Sequence, residues 1–371
     1  MSKRILITGG AGFVGSHLAD ALLERGHQVR VFDNLTQQVH PEGRPAYLDR
    51  EIEFIQGDMR DGERLAAALS GIEVVFHLAA AVGVGQSMHE IARYLESNTQ
   101  GTANLLQALL AKPEAEKLVV ASSMSIYGEG QYRCANCGST AAEPRTQAQL
   151  IQRRWEISCA GCSSEMEPVP TNENKPAQCN SFYALSKKNQ EEMCLLFGRT
   201  YGLPVTALRY FNIYGPRQAL TNPYTGVVAI FCSRLRSQQP PLIFEDGSQR
   251  RDFVSVHDVV QANLLAMEPG IADGMALNIG SGRAISIVEI AKTLAEAMGC
   301  EVEPEISYRY RGGDIRHCFA DIGAAEKQLS YAPQVELRKG LQELVGWLAS
   351  QRTEERAARA AEELQTQELP A

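Results

Sequence analysis

Tyr183 and Lys187 stand four residues apart in Ser181-Phe182-Tyr183-Ala184-Leu185-Ser186-Lys187, downstream of Ser122-Ser123-Met124-Ser125-Ile126-Tyr127-Gly128. On a helix that spacing brings both side chains to one face. An ammonium beside a phenol favours the phenolate, so the tyrosine can exchange a proton with a hydroxyl near neutral pH. That is the proton chemistry required when a nicotinamide ring takes hydride from a carbinol carbon. Alone the pair carries little meaning, because most Tyr-x-x-x-Lys pairs are solvated helix surface.

Its meaning comes from what precedes it. Thr8-Gly9-Gly10-Ala11-Gly12-Phe13-Val14-Gly15 follows a strand-like run and opens a helix-like one, with Gly9, Gly12 and Gly15 spaced G-x-x-G-x-x-G. Glycine lets the backbone turn sharply and approach a pyrophosphate, and the helix N-terminus behind it attracts the charge. Phe13 and Val14 sit at that N-terminus. Asp33, in Val31-Phe32-Asp33-Asn34, suits hydrogen bonding to both ribose hydroxyls of an adenosine, with Asn34 beside it. A carboxylate there repels a 2′-phosphate, so NAD is expected over NADP; the plainer alternative is that Asp33 only caps a turn. Asp58 and Met59, after the third strand, fall near the adenine. Leu78, Ala79 and Ala80 end the fourth strand, where small side chains leave room for the cofactor.

The elements that must position these residues alternate. Ile5–Thr8, Gln28–Phe32, Glu53–Gln56, Val74–Leu78 and Leu118–Ser122 read as strands, with helix-like runs at Phe13–Arg25, Gly62–Leu69 and Ile91–Leu110. This rhythm predicts an α/β fold, a Rossmann-type doubly wound parallel sheet with a smaller C-terminal substrate-binding lobe. Ser181–Tyr201 reads as a helix and Val205–Tyr210 as a strand. Residues 1–128 and 176–215 form the expected NAD-binding domain, and 216–350 mainly the substrate lobe. Residues 351–371 are a charged tail. The net charge of −8 offers no basic field for nucleic acid. No apolar run has membrane-spanning length and no signal-peptide pattern opens the chain, so a cytoplasmic protein is expected.

Residues 129–175 break the rhythm. They carry Cys134-Ala135-Asn136-Cys137 and Cys159-Ala160-Gly161-Cys162, separated by residues 138–158. Two C-x-x-C knuckles so spaced suit a tetrahedral four-cysteine zinc ribbon, inserted into the fold. Unliganded thiols, a redox pair or an iron–sulfur cluster are the alternatives. Four sulfur ligands leave no open position, so a zinc there is expected to be structural.

With these motifs, and with RYFNIYGPR, RRDFVSVHD and RGGDIRH further along, the chain resembles the extended short-chain dehydrogenase/reductases, in the nucleotide-sugar epimerase and dehydratase branch. The resemblance covers roughly residues 3–350 apart from the insert. It implies Tyr183 as acid/base, Lys187 as the residue that lowers its pKa and binds the nicotinamide ribose, and Ser123 as the group that orients the sugar hydroxyl. It adds Asn98 and Ser122 to the cofactor contacts. It places Val84, Ser125, Asn212, Arg251, Arg311 and Asp314 around a nucleotide-diphosphate sugar, the arginines on the diphosphate. It also implies a homodimer through helices near Ser87–Leu110 and Ser181–Tyr201.

Departures within the branch narrow the reaction. The 4,6-dehydratases carry Asp-Glu where this chain has Met124-Ser125, so the elimination carboxyls are missing; a decarboxylase is weakened by the same missing Glu. The 3,5-epimerases use a cysteine near this strand end, and none lies between Ser122 and Gly128. Reversible oxidation at C4 remains. A similar cysteine insert occurs in bacterial dTDP-L-rhamnose 4-epimerases, which implies dTDP-L-rhamnose and dTDP-6-deoxy-L-talose as substrates. A UDP-hexose or UDP-uronate 4-epimerase and a non-catalytic NAD-binding sensor are the alternatives.

Overall fold

The computed structural model describes residues 2–219, 226–311 and 313–350; the tail expected at 351–371 lies outside the described residues. Seven parallel strands form the central sheet: β1 (Arg4–Thr8), β2 (Gln28–Asp33), β3 (Glu53–Gln56), β4 (Val74–His77), β5 (Lys117–Ser123), β6 (Val205–Tyr210) and β7 (Met275–Ile279). Their spatial order is β3-β2-β1-β4-β5-β6-β7. The order reverses between β1 and β4, and ligands of open α/β sheets bind beyond the strand ends at such a point.

Period-two alternation sends the side chains of β1 to two cores. Ile5 and Ile7 join the cluster with Leu18, Val259 and Leu277, while Leu6 joins the one with Phe32, Leu105 and Phe197. The first cluster is roofed by helices Phe13–Leu23 and Val256–Ala266, the second by Gly62–Ala68, Gly101–Leu109 and Phe182–Tyr201. Register pairs Thr8 with both Phe32 and His77, and Ser123 with Tyr210, so the glycine loop, Asp33, Leu78 and Ser123 meet along one edge.

Strand and helix bounds fall within a residue or two of those predicted. The long helix expected over Ile91–Leu110 is instead three pieces: Ile91–Tyr94, a π-helical turn Leu95–Gln100, and Gly101–Leu109. A π turn adds one residue to the helical repeat and rotates the side chains beyond it; here it carries Asn98 into the interior. Strand β7 and helix Val256–Ala266 come from the 216–350 stretch and return to the sheet. A third cluster, around Phe231, Leu294 and Leu344, holds the smaller lobe. Among the described residues no helix is long and apolar enough to cross a membrane.

Candidate active site

The glycine loop is packed to its limit on one side and open on the other. Gly9 has φ 72°, and a Cβ there would stand 2.8 Å from Ala79 Cα. A Cβ on Gly15 would stand 2.5 Å from the Gly9 carbonyl oxygen. Gly12, the N-cap of helix Phe13–Leu23, would meet only that same oxygen, at 3.3 Å, and supplies no side-chain cap. First-turn amides left in this way are an anion site. Asp33 accepts hydrogen bonds from the amides of Ala11 (3.1 Å) and Leu35 (2.9 Å), which ties the loop to the end of β2. Burial raises its carboxyl pKa, and those amides with His40 work against the rise. Asn34 donates to Asp58 at 3.0 Å, and hydrogen bonds from Arg60 help hold Asp58 down at about 2. Met59 is buried with Phe32 and Leu105. An uncapped helix N-terminus, a close glycine turn and a carboxylate at the end of β2 together fit a dinucleotide.

Helix Phe182–Tyr201 begins because Ser181 caps it, accepting from the Ala184 amide at 3.1 Å, and ends at Gly202, φ 77°. Tyr183 and Lys187 lie on its first turns. Ser123 ends β5; its Oγ accepts from the Ser125 amide (3.1 Å) and the Ser125 hydroxyl (2.9 Å). That leaves its own O–H for Tyr183. Burial raises the Tyr183 pKa and the hydrogen bond with Ser123 lowers it, as expected when a donor favours the phenolate. The ring of Tyr94 backs Tyr183 edge-on at 6.3 Å. Burial brings Lys187 down to about 8, against the opposing pull of Cys194 and Glu191. Its ammonium donates to Gln190 Oε1 at 2.7 Å, so the pair shares one helix face while the direct partners are Ser123 for Tyr183 and Gln190 for Lys187.

His77, Gln190 and Glu191, which the sequence reading passed over, fix this geometry together with the expected cofactor contacts Asn98 and Ser122, whose polar groups are here engaged by protein partners. Gln190 Nε2 reaches Thr102 (3.0 Å), His77 (3.1 Å) and the Ala79 carbonyl (3.3 Å). His77 also meets Thr8 (2.8 Å) and Thr102 (2.9 Å); its burial brings the imidazole to about 3, so it is neutral. Asn98 donates to Ser186 (2.8 Å) and to the Ala81 carbonyl, and accepts from the Ala81 amide at 2.7 Å. Ser122 spends its hydroxyl on Glu191 at 2.6 Å, and Arg209 holds the same carboxylate, so β5, β6 and the Tyr183 helix are locked together. The spacing from Lys187 was the available signal: Gln190 and Glu191 fall three and four residues on, on the same face.

The substrate candidates lie on the other side. Arg311 Nε donates to Asp314 at 2.9 Å, and its guanidinium sits 4.5 Å from the Phe244 ring centroid. Arg251 donates to the carbonyls of Ile315 (2.6 Å) and Arg316 (2.9 Å). Asn180, one residue before the cap Ser181, donates to the Gly313 carbonyl at 2.7 Å. Asn212 Oδ1 is buried and has no donor partner. Val84 is exposed, at the start of a short helix. Leu78 and Ala80 lie half-buried beside the glycine loop.

In the insert, strands Gln131–Arg133 and Glu167–Val169 pair antiparallel, and four sulfurs converge. Cys134–Cys162 and Cys137–Cys159 are each 3.5 Å apart, and Cys137–Cys162 3.7 Å. Disulfides require about 2.05 Å. A tetrahedron with Zn–S bonds of about 2.3 Å has edges of about 3.8 Å; these three separations lie near that edge, while the four sulfurs as a set form a looser cluster within 4.8 Å, not a discrete zinc ribbon. Each knuckle turns the same way: Gly138 at φ 68° and Ser163 at φ 57° follow the second cysteine.

Comparison with known proteins places this geometry in context. The family model described as the NAD dependent epimerase/dehydratase family matches residues 5–280. The chain is 35% identical to the dTDP-L-rhamnose 4-epimerase of Burkholderia thailandensis over 356 residues, 94% of this chain and 96% of that one. It superposes on the UDP-glucose 4-epimerase of Thermotoga maritima, crystallised with UDP-glucose, with a TM-score of 0.77 and 34% identity, covering 93% of this chain and 98% of that one. The UDP-glucuronic acid 4-epimerase of Bacillus cereus, in complex with UDP-glucuronic acid and NAD, also gives a TM-score of 0.77, at 26% identity, over 93% and 99%.

Proposed function

The chain belongs to the NAD dependent epimerase/dehydratase family, and from that premise we propose that it interconverts dTDP-L-rhamnose and dTDP-6-deoxy-L-talose. Membership makes it an NAD-dependent nucleotide-sugar 4-epimerase; the sugar and base are the finer reading. The observation that carries the chemistry is the placement of Ser123, at the end of β5, beside Tyr183, where its hydroxyl favours the phenolate, with no carboxyl at 124 or 125. A phenol poised by a serine handles a hydroxyl proton, and nothing beside it can perform an elimination.

NAD, when bound on the glycine loop and Asp33, supplies the hydride acceptor and donor for C4. Tyr183, as the phenolate, takes the C4 hydroxyl proton and becomes the phenol, with Ser123 orienting that hydroxyl. The phenol then carries the proton until the 4-keto sugar has turned over, and returns it to the oxygen on the opposite face. Lys187, a cation below pH about 8, would bind the nicotinamide ribose. Arg251, Arg311 and Asp314 hold the nucleotide diphosphate while the hexose turns.

The dTDP-sugar reading is supported by the similarity to the Burkholderia protein across nearly the whole chain and by the cysteine insert. The likeness to UDP-glucose and UDP-glucuronate 4-epimerases favours the second reading, a UDP-hexose or UDP-uronate substrate. Incubation with dTDP-L-rhamnose, UDP-glucose and UDP-glucuronate, followed by product NMR, separates them. The expected result is at least tenfold higher kcat/KM for dTDP-L-rhamnose; turnover confined to a UDP-sugar contradicts it. A structural zinc on Cys134, Cys137, Cys159 and Cys162 belongs to the same reading, as does a homodimer. The dimer is supported by Leu185, Leu196 and Tyr201, which expose 39%, 55% and 60% of their surface along the Tyr183 helix.

A further inference from the structure

We propose that the four-cysteine insert is a positioning element for the Arg311–Asp314 loop, so that filling the sulfur cage and binding the substrate's nucleotide diphosphate are coupled. The inference rests on the reading above that Arg311 and Asp314 face that diphosphate.

The insert grips the loop through charged side chains withdrawn from water. Arg145, 4% exposed, donates to the Asp314 carbonyl and to Glu245, both at 2.7 Å. Arg316, with 0% exposure, lies between Glu156 of the insert and Glu245 and Asp246 of the smaller lobe. Glu156 also meets His317 at 2.9 Å. Glu129 accepts from the Arg316 amide at 2.7 Å, the Tyr132 hydroxyl accepts from the His317 amide at 3.1 Å, and the Gly130 amide donates to the His317 carbonyl at 2.7 Å. Arg251 in turn donates to the carbonyls of Ile315 and Arg316. Asn180 fastens Gly313 from the side of the catalytic helix. The loop that carries Arg311 and Asp314 is therefore held between the insert and the approach to Tyr183.

The insert has little else to hold its own shape. Its apolar core is Tyr132, Cys134, Ile157, Cys159 and Met166, and two of those five are thiols of the cage. A core of this size does not sustain a fold without a cross-link or metal. Glu156 precedes Ile157 and Cys159, and Ala142 bridges Cys159 three residues before Arg145. Losing the sulfur links therefore frees the residues that clamp 314–317. Charge alone does not demand this arrangement; the coupling follows from the clamp residues being tied to the cage strands.

The test uses the full chain with NAD bound, and Cys137→Ser, which removes an exposed ligand. Zinc analysis is expected to give about one ion per chain for the wild type and far less for the variant. Calorimetry with dTDP and with UDP is expected to show at least tenfold weaker binding of the better nucleotide to Cys137→Ser, with NAD content retained. Hydrogen exchange of the 314–317 amides is expected to rise by a similar factor. Arg145→Met should weaken nucleotide binding while keeping its zinc, and the double variant should lose little beyond the worse single one, the signature of a shared path. Equal nucleotide affinity and equal 314–317 protection in zinc-free and zinc-bound protein overturn the coupling. Faster exchange without any change in affinity also overturns it, because the loop then moves without consequence for the ligand. A wild type that binds neither nucleotide brings down the substrate reading itself, a different failure from an unchanged variant.

Discussion

Tyr183→Phe is expected to lower kcat about 10²- to 10⁴-fold, the range that a positioned general acid/base contributes. The variant keeps the ring that packs edge-on against Tyr94 and loses only the phenolic oxygen. NAD content and KM are expected to stay near wild type, because the lost group acts on a proton in flight and adds little to ground-state binding. Steady-state kinetics with bound-cofactor analysis checks this. Loss of NAD binding, with kcat per loaded site intact, contradicts the assignment. Ser123→Ala is expected to cost less, because the phenol remains and only its orientation and the hydrogen bond favouring phenolate are lost. The wild-type rate should also fall above pH about 8, where Lys187 gives up its charge.

The second large effect is on stability. Arg316→Met is expected to cost about 3–5 kcal/mol, the range found when one partner of a buried ion pair is removed. Arg316 is fully buried, and its substitution leaves Glu245 and Asp246 with less cationic compensation and Glu156 without its guanidinium. Urea denaturation followed by the insert's Trp155 fluorescence measures it. Arg338→Ala is the control: its partner Glu296 and Arg338 itself are 58% and 57% exposed, and such pairs contribute about 0–1 kcal/mol. Equal effects of the two substitutions contradict the clamp. Acid should loosen the same contact. Burial raises the Glu156 pKa, but hydrogen bonds from His317 and Arg316 and their charges outweigh it and leave it at about 2, below the ordinary 4.5. A carboxyl depressed on folding adds stability above its unfolded pKa and loses it as pH falls through the folded one. The insert's docking should therefore weaken between pH about 4.5 and about 2.

Much of this was legible in the chain because local pattern and chemistry agreed. The glycine spacing demanded a strand before it and a helix behind it, and β1 and helix Phe13–Leu23 are there. The helix read over Ser181–Tyr201 is found at Phe182–Tyr201, within a residue. The two C-x-x-C knuckles foretold four converging sulfurs. What escaped depends on tertiary placement. Nothing local announces the π turn that turns Asn98 inward, because the surrounding residues suit an ordinary helix equally well. His77 and Gln190 are far apart in sequence and become partners only when β4 and the Tyr183 helix pack. Arg316 reads as one more arginine of RGGDIRH until Glu156, Glu245 and Asp246 arrive from separate segments. The direct partner of Lys187 was signalled by spacing alone: Gln190 and Tyr183 both share its helix face, and rotamer and burial decide that its ammonium lies on Gln190.

The central claim is that one carbon, C4, loses and regains the same hydrogen while Tyr183 moves the hydroxyl proton. A nucleotide sugar carrying deuterium at C4, turned over in ordinary water and followed by NMR, tests it most directly. The account predicts that both epimers retain the label at C4, with no deuterium lost to solvent and no net reduction of NAD. Label washed out to solvent, or hydrogen exchange at C3 or C5 accompanying inversion, contradicts it.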